Sequence, residues 1–129
     1  MIYLDSAAVV KLVRHEPSTA ALIGWLNTRA GVPLVSSALV EVEVPRALRR
    51  SAPAAPPAVP ATLARLYRLE IDPTVRATAA GFLDPNLRSL DAIHLATAMQ
   101  IGSQLDSFVS YDSRLLGFAQ LAGLPVASP

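Results

Sequence analysis

Short apolar runs, each ending at an acid or a serine and followed by a helical stretch, constrain this chain most. The run at residues 1–4 stops at Asp5, and residues 7–14 then follow a helical pattern, with Ser6 as the expected N-cap. The runs are apolar throughout instead of alternating, which is typical of strands that helices cover on both faces. We therefore predict an α/β fold with a parallel central sheet.

The remaining elements continue this alternation. Strands are predicted over residues 32–35 and 107–110, with weaker ones over 69–71 and 125–127. Helices are predicted over 19–28, from a cap at Ser36 and Ser37 to about Arg50 with a kink at Pro45, and over 61–68, 73–82, 90–101 (capped by Ser89) and 113–121. The proline-rich residues 51–60 are predicted to form a linker or stiff connection. The expected fold is a single α/β domain over residues 1–129, with a central parallel sheet of four to five strands flanked by helices.

The composition excludes several classes of protein. Hydrophobic residues make up 52% of the chain and charged residues 16%, which suits a large core and excludes disorder. The longest stretch without a charge, residues 115–129, contains Gly and Pro and is too short to span a membrane. We expect no signal peptide, because no basic region precedes the first apolar run. The absence of cysteine excludes a disulfide framework and a thiolate zinc site, so a cytoplasmic protein without membrane contact is expected.

Positive charge is concentrated in one segment. Residues 44–68 contain five arginines and no acid, although the net charge of the whole chain is only +1. Such a segment suggests a surface for an anionic partner. Arg46, Arg49 and Arg50 begin this segment, and they are either a rim that binds phosphates or a solvated helix end.

Four acids occupy informative positions. Asp5 and Asp112 follow strands, Asp91 lies in the first turn of the most apolar helix, and Glu43 lies on the third helix. Singly, each is explained as a helix cap or one end of an ion pair. Together they predict a cluster, since carboxyl ends of parallel strands meet at one edge and clustered carboxylates need a cation. An oxygen-only donor set without cysteine favours Mg²⁺ or Mn²⁺.

At this point the residues resemble a known family. The chain is similar to the PIN-domain nucleases, specifically the VapC toxins of bacterial VapBC toxin–antitoxin pairs. The resemblance is carried, in the family's order and over the whole chain, by the blocks at residues 1–6, 36–48, 90–98 and 108–115 and by the ending at 122–126. One such block is weak evidence, but four in register are strong.

The resemblance implies roles for individual residues. Asp5, Glu43, Asp91 and Asp112 match the family's four acids. Asp5 and Asp91 would bind the metal directly, and Glu43 and Asp112 would bind it directly or through water. Ser110 would support the site.

Two further residues near these acids are candidates for the site. Ser6, beside Asp5, is a second supporting candidate. Glu41 competes with Glu43, but two residues on a helix are separated by about 200°, so only one can face the site. The family's spacing to the following Arg-Ala pair selects Glu43.

The resemblance also implies an activity and partners. The expected activity is that of a Mg²⁺-dependent (or Mn²⁺-dependent) endoribonuclease that acts as a toxin and hydrolyses RNA phosphodiester bonds with a metal-activated water. The expected partners are an RNA substrate and a VapB-like antitoxin with a basic inhibitory tail. A homodimer is common in the family.

Several alternatives stay open. His94, one turn after Asp91, is either a base or phosphate contact or a buried histidine that packs against the sheet. A phosphoaspartyl-type α/β domain would also place acids at strand ends, but it requires an acid at Ala7 or, in its receiver form, a late lysine, and the only lysine is Lys11. A non-catalytic binding module would bind its partner without hydrolysis.

Overall fold

One or two α-helices follow each of the first four strands along the chain. The structure, a computed structural model, describes residues 1–51 and 58–129. The strands are β1 (Ile2–Leu4), β2 (Leu34–Ser37), β3 (Tyr67–Leu69), β4 (Ser107–Val109) and β5 (Val126–Ala127). The helices are α1 (Ser6–Val13), α2 (Thr19–Asn27), α3 (Val40–Ser51), α4 (Ala58–Leu63), α5 (Pro73–Gly81), α6 (Ser89–Ile101) and α7 (Ser113–Leu121), and a short 3-10 helix (Gly102–Gln104) follows α6.

The five strands form one parallel sheet in the order β3-β2-β1-β4-β5. The first strand is central, with Tyr3 opposite Val35 on one side and Phe108 on the other. All three residues of β1 are fully buried, as expected for a strand that helices cover on both faces. The predicted α/β fold with a parallel sheet is therefore confirmed, with five strands.

The core divides into two layers because alternate residues of β1 point to opposite faces of the sheet. Ile2 and Leu4 pack with apolar residues of α1, α2, α3 and α4. Tyr3 packs with apolar residues of α6 and α7 on the other face. Consequently α3, which carries Glu43, and α6, which carries Asp91, lie over opposite faces of the central strand.

The start of α1 differs from the prediction. Asp5, not Ser6, is the N-cap: its backbone is extended and its Oδ1 accepts the Ala8 N–H at 2.8 Å. Both residue types are good caps, and the helix begins one residue earlier than expected. Ser6 is instead the first residue of α1.

Other boundaries were also predicted wrongly. Ser36 and Ser37 belong to β2 instead of capping α3, and the third strand covers 67–69 instead of 69–71. Ser89 is the first residue of α6, and the N-cap is instead Arg88. Pro45 lies inside α3 as expected. Of the predicted connection at 51–60, residues 52–57 lie outside the described residues, and its two ends are helical.

The longest helix of the described residues, α6, has 13 residues. In residues 1–51 and 58–129, every helix falls short of the length and hydropathy that crossing a membrane requires.

Candidate active site

Asp5 is the most buried acid of the candidate site, with 4% of its surface exposed. It stands at the carboxyl end of the central strand, where Oδ1 caps α1 and Oδ2 accepts a hydrogen bond from the Ser110 hydroxyl. Burial raises the pKa of Asp5, hydrogen bonds from Ser110 and Ala8 oppose this, and the Asp91 charge raises it further. The net direction is upward. The charged carboxylate is therefore incompletely compensated by the protein.

Ser110 connects two of the acids. This fully buried residue follows β4, which is paired with β1, so its hydroxyl reaches Asp5. The same oxygen accepts the Asp112 N–H at 3.1 Å. Asp112 in turn caps α7 by accepting the Arg114 N–H at 2.9 Å. The supporting position predicted for Ser110 thus lies beside Asp5 and Asp112.

Asp91 lies in the first turn of α6 and is partly buried. Burial raises the pKa of Asp91, Arg88 lowers it, and the nearby charge of Asp112 raises it again, so that it ends above its usual value. Burial is the main cause of the raised pKa, and the charge of Asp112 adds to it.

Arg88 lies between these two acids and was missed by the sequence analysis. Its Nε is 3.5 Å from Asp91 Oδ2, and its Nη2 is 3.7 Å from Asp112 Oδ2. The side chain is 67% exposed, so these ion pairs are screened by water and are weak. The spacing of Arg88 three residues before Asp91 was the available signal, but it lies outside the family blocks.

Glu43 reaches the same region from α3. Its Oε2 accepts a hydrogen bond from the Ser6 hydroxyl at 2.5 Å and lies 2.8 Å from His94 Nε2. Burial raises the pKa of Glu43, but the hydrogen bonds from His94 and Ser6 lower it, and the value ends below normal. Glu43 is therefore ionised at neutral pH.

Glu41 points elsewhere on the same helix. It is exposed and forms an ion pair with Arg68 at 2.9 Å. The expectation that Glu41 and Glu43 face different directions agrees with this geometry.

His94 is buried, as the packing interpretation predicted, with 2% of its surface exposed. It nevertheless contacts the candidate site through Glu43 and Ser6, and its Nδ1 is 2.7 Å from the hydroxyl of Tyr3. Tyr3 was missed because it was counted only as part of an apolar strand. Its ring stacks on Phe108 at 5.2 Å, which explains its place in the core.

The donor set fits a hard divalent cation with water as additional ligands. Within residues 1–51 and 58–129, no three side chains of Asp, Glu, His or Cys converge closely enough to hold an ion by themselves. Mg²⁺ usually keeps several waters and binds through one or two carboxylates together with substrate phosphates. Asp5 and Asp91 are two carboxylates with raised pKa values. They suit such an ion, because a cation stabilises the charged form of a carboxylate.

The predicted arginine rim lies on α3. Arg46, Arg49 and Arg50 are all exposed, and the charge of Arg50 contributes to the lowered pKa of Glu43. A cavity of about 630 Å³ opens where β2 and β3 begin, and Arg46, Arg49 and Arg50 are not among its lining residues. Its lining includes Arg29 and Arg65.

Comparison with known proteins identifies the family. The model of the PIN domain matches residues 2–124. The chain belongs to the PIN-domain family. Ribonuclease VapC35 of Mycobacterium tuberculosis is 50% identical to it over an alignment of 131 positions, which covers 100% of this chain and 97% of the relative. Ribonuclease VapC46 of the same organism is 45% identical, covering 99% and 97%.

Two solved structures share the fold of this PIN domain. Mycobacterium tuberculosis VapC20, described as a toxin that cleaves the sarcin-ricin loop, matches with a TM-score of 0.74 at 15% identity over 100% of both chains. The structure of FitAB bound to a DNA fragment matches with a TM-score of 0.59 at 19% identity, covering 100% of this chain and 95% of the other. The resemblance to PIN-domain VapC proteins is thus confirmed. The names of the relatives favour a nuclease over a phosphoaspartyl domain or a binding module.

The raised pKa of Asp5 in this PIN domain leads to a stability prediction. The folded protein binds the Asp5 proton more tightly than the unfolded chain, so ionisation of Asp5 costs stability above its folded pKa and this cost disappears as the pH falls. Asp5→Asn keeps a capping oxygen and removes the charge. We expect a higher melting temperature than wild type at neutral pH without metal, and a difference that shrinks in acid.

Thermal denaturation in buffers containing a chelator measures this difference. Glu70→Gln, which removes an exposed acid, is the control and should leave the melting temperature nearly unchanged. A melting temperature of Asp5→Asn below that of wild type at neutral pH would mean that the charge stabilises the fold.

Proposed function

We propose that this PIN domain is a divalent-metal-dependent endoribonuclease that hydrolyses RNA phosphodiester bonds and acts as the toxin of a toxin–antitoxin pair. The observation that carries the proposal is the buried Asp5 carboxylate at the carboxyl edge of the sheet, with Asp91 and Asp112 within electrostatic reach. Relatives that are named ribonucleases and match the chain over its full length support it.

The proposed activity requires a divalent metal ion. PIN-domain ribonucleases generally use divalent metal ions. In this chain Asp5 and Asp91 would bind Mg²⁺ or Mn²⁺ directly, and Glu43 and Asp112 would do so directly or through water. When bound, such an ion would lower the pKa of a water molecule, so that hydroxide becomes available to attack phosphorus, and would offset the negative charge of the reacting phosphate.

The protein side chains provide position and charge. Ser110 holds one oxygen of Asp5 and the backbone of Asp112, so two acids are fixed by one hydroxyl. Ser6 holds Glu43. Arg46, Arg49 and Arg50 supply exposed guanidinium groups that suit RNA phosphates.

The proposed partner follows from the chemistry of the same acids. VapC toxins pair with VapB antitoxins and act on RNA. We infer a VapB-like antitoxin whose basic tail pairs with Asp5, Glu43, Asp91 and Asp112, and a toxin that is a homodimer. The contacts of Arg88 with Asp91 and Asp112 support the tail, because they put a guanidinium beside two of the same carboxylates.

The two glutamates of α3 allow a matched test of the catalytic assignment. Glu43→Gln should lower the rate of Mg²⁺-dependent RNA cleavage by about 10-fold to 100-fold, the usual loss when a partner of a metal site is removed. Glu41→Gln removes the same charge two residues away and should stay near the wild-type rate.

Cleavage of a labelled RNA by purified protein gives both rates, and Asp5→Asn is the reference expected to be inactive. Sequencing the RNA ends formed in cells would then define the cut site. Equal losses in the two glutamine variants, or full activity of Asp5→Asn, would refute the assignment.

The arginine rim has its own prediction. The double variant Arg46→Ala with Arg50→Ala, which removes the two arginines on the face of Glu43, should weaken RNA binding and flatten its salt dependence. Each lost phosphate contact should reduce the slope of log K against log salt by about 0.7 for single-stranded RNA. Arg29→Ala with Arg65→Ala removes equal charge from the cavity where β2 and β3 begin.

Binding is measured by fluorescence anisotropy over a range of salt concentrations, with Asp5→Asn in the background to prevent cleavage. If both double variants flatten the slope equally, the effect comes from net charge and the rim assignment is wrong.

Inhibition by a basic tail should depend on Mg²⁺. A guanidinium that pairs with the acids competes with the cation, so raising Mg²⁺ should weaken inhibition by a tail peptide. Inhibition constants at several Mg²⁺ concentrations, at constant ionic strength, measure the competition. A matched peptide with alanine at its basic positions should not inhibit. Inhibition that is unchanged by Mg²⁺ and that the alanine peptide also produces would show that the tail blocks RNA binding at a surface away from the acids.

A further inference from the structure

A chain of polar groups connects the centre of the sheet with Glu43. The Tyr3 hydroxyl is 2.7 Å from His94 Nδ1, and His94 Nε2 is 2.8 Å from Glu43 Oε2. Tyr3 is fully buried and His94 is nearly so. These side chains come from β1, α6 and α3, so the contacts join elements on both faces of the sheet.

The hydrogen atoms at Tyr3 can be assigned by counting donors. The Ser37 N–H donates to the Tyr3 oxygen at 3.2 Å, so the single phenolic proton is available for an acceptor. The nearby hydroxyls of Ser36 and Thr97 donate to backbone carbonyls. His94 Nδ1 is the acceptor at hydrogen-bond distance. In a neutral imidazole, a lone pair at Nδ1 places the hydrogen on Nε2.

The same count applies at Glu43. With this tautomer, Nε2–H of His94 donates to Oε2, as the hydroxyl of Ser6 does, and no hydrogen bond from the described residues reaches Oε1. The carboxylate is therefore held through one oxygen, while the other remains available. Ser6 Oγ also lies 3.1 Å from His94 Nε2, which brings all three side chains together.

We propose that Tyr3 and His94 are positioning residues for the site. Tyr3 holds His94 in the Nε2–H tautomer, and His94 then holds Glu43 by Oε2, leaving Oε1 to accept a cation or its bound water. Neither nitrogen of His94 keeps a free lone pair, so His94 does not act as the general base. The metal-binding consequence rests on the proposed function, whereas the tautomer does not.

The tautomer is tested directly by nitrogen-15 NMR of the histidine side chains in metal-free protein. The chain has only two histidines, and His15→Gln assigns the signals because His15 is exposed. We expect His94 to show the neutral Nε2–H pattern in wild type and a loss of this single pattern in Tyr3→Phe. An Nδ1–H tautomer or an imidazolium in wild type, or an unchanged pattern in Tyr3→Phe, would overturn the proposal.

Metal binding is tested with Mn²⁺ alone, by titration calorimetry without RNA. His94→Leu should weaken Mn²⁺ affinity by about 10-fold to 100-fold, as removal of such supporting groups usually does. Tyr3→Phe, which keeps the ring stacked on Phe108, should weaken it less. His94→Gln can still donate an N–H toward Glu43 and should recover part of the loss.

The matched control is Tyr67→Phe, which removes an exposed tyrosine hydroxyl at the start of β3, away from the carboxyl edge of the sheet. It should bind Mn²⁺ as wild type does. If His94→Leu does not fold, the comparison of Tyr3→Phe and His94→Gln with wild type decides. Affinities equal to wild type in all folded variants would overturn the positioning role.

These outcomes are separable from failure of the proposed function. A wild-type protein that binds no Mn²⁺ and cleaves no RNA would refute the proposed function and the metal-binding part of the inference, while the NMR measurement would still decide the tautomer. A wild-type protein that binds Mn²⁺ and cleaves RNA, with variants that behave alike, would refute only the positioning role.

Discussion

The rest of the structure depends on the hydrogen bonding of one buried carboxylate. Asp5 ends β1, caps α1 through the Ala8 N–H and accepts the hydroxyl of Ser110 from beyond β4. A strand end, a helix start and the neighbouring strand are thereby fixed at one point. Burial without full compensation leaves the pKa of Asp5 raised. A cation bound here would therefore stabilise the charged form of the carboxylate. Stability and the proposed chemistry therefore make opposite demands on the same side chain.

The fold could be predicted from local patterns, but its boundaries could not. Uniformly apolar runs separated by helical stretches were enough to indicate a parallel sheet, because both faces of each strand must be covered. The choice between Asp5 and Ser6 as cap depends on where α1 begins, and the extended backbone of Asp5 is held by an N–H bond to the carbonyl of Val109, far away in sequence. Ser36 is similar: its hydroxyl is satisfied by the Leu4 carbonyl inside the sheet, a partner that no local rule reveals.

The same distinction applies to the site. Helical geometry separates Glu43 from Glu41, and the structure agrees, with Glu41 paired to Arg68. Tyr3 could not be recognised because one polar atom in an apolar strand has meaning only when its partner is known. That partner, His94, lies 91 residues further along the chain. Arg88 was not predicted for a different reason. An exposed arginine can be assigned to a site only after the positions of the acids around it are known.

The order of the strands in space differs from the order in which the ribosome makes them. The central strand β1 is synthesised first, but one of its two neighbours, β4, begins only at Ser107. A growing chain that stops before β4 leaves one edge of β1 unpaired and lacks both Ser110 and Asp112. Domains generally fold as units during synthesis. The acidic site is consequently incomplete in the nascent chain until synthesis has passed Asp112, which separates translation of this protein in time from any activity toward RNA.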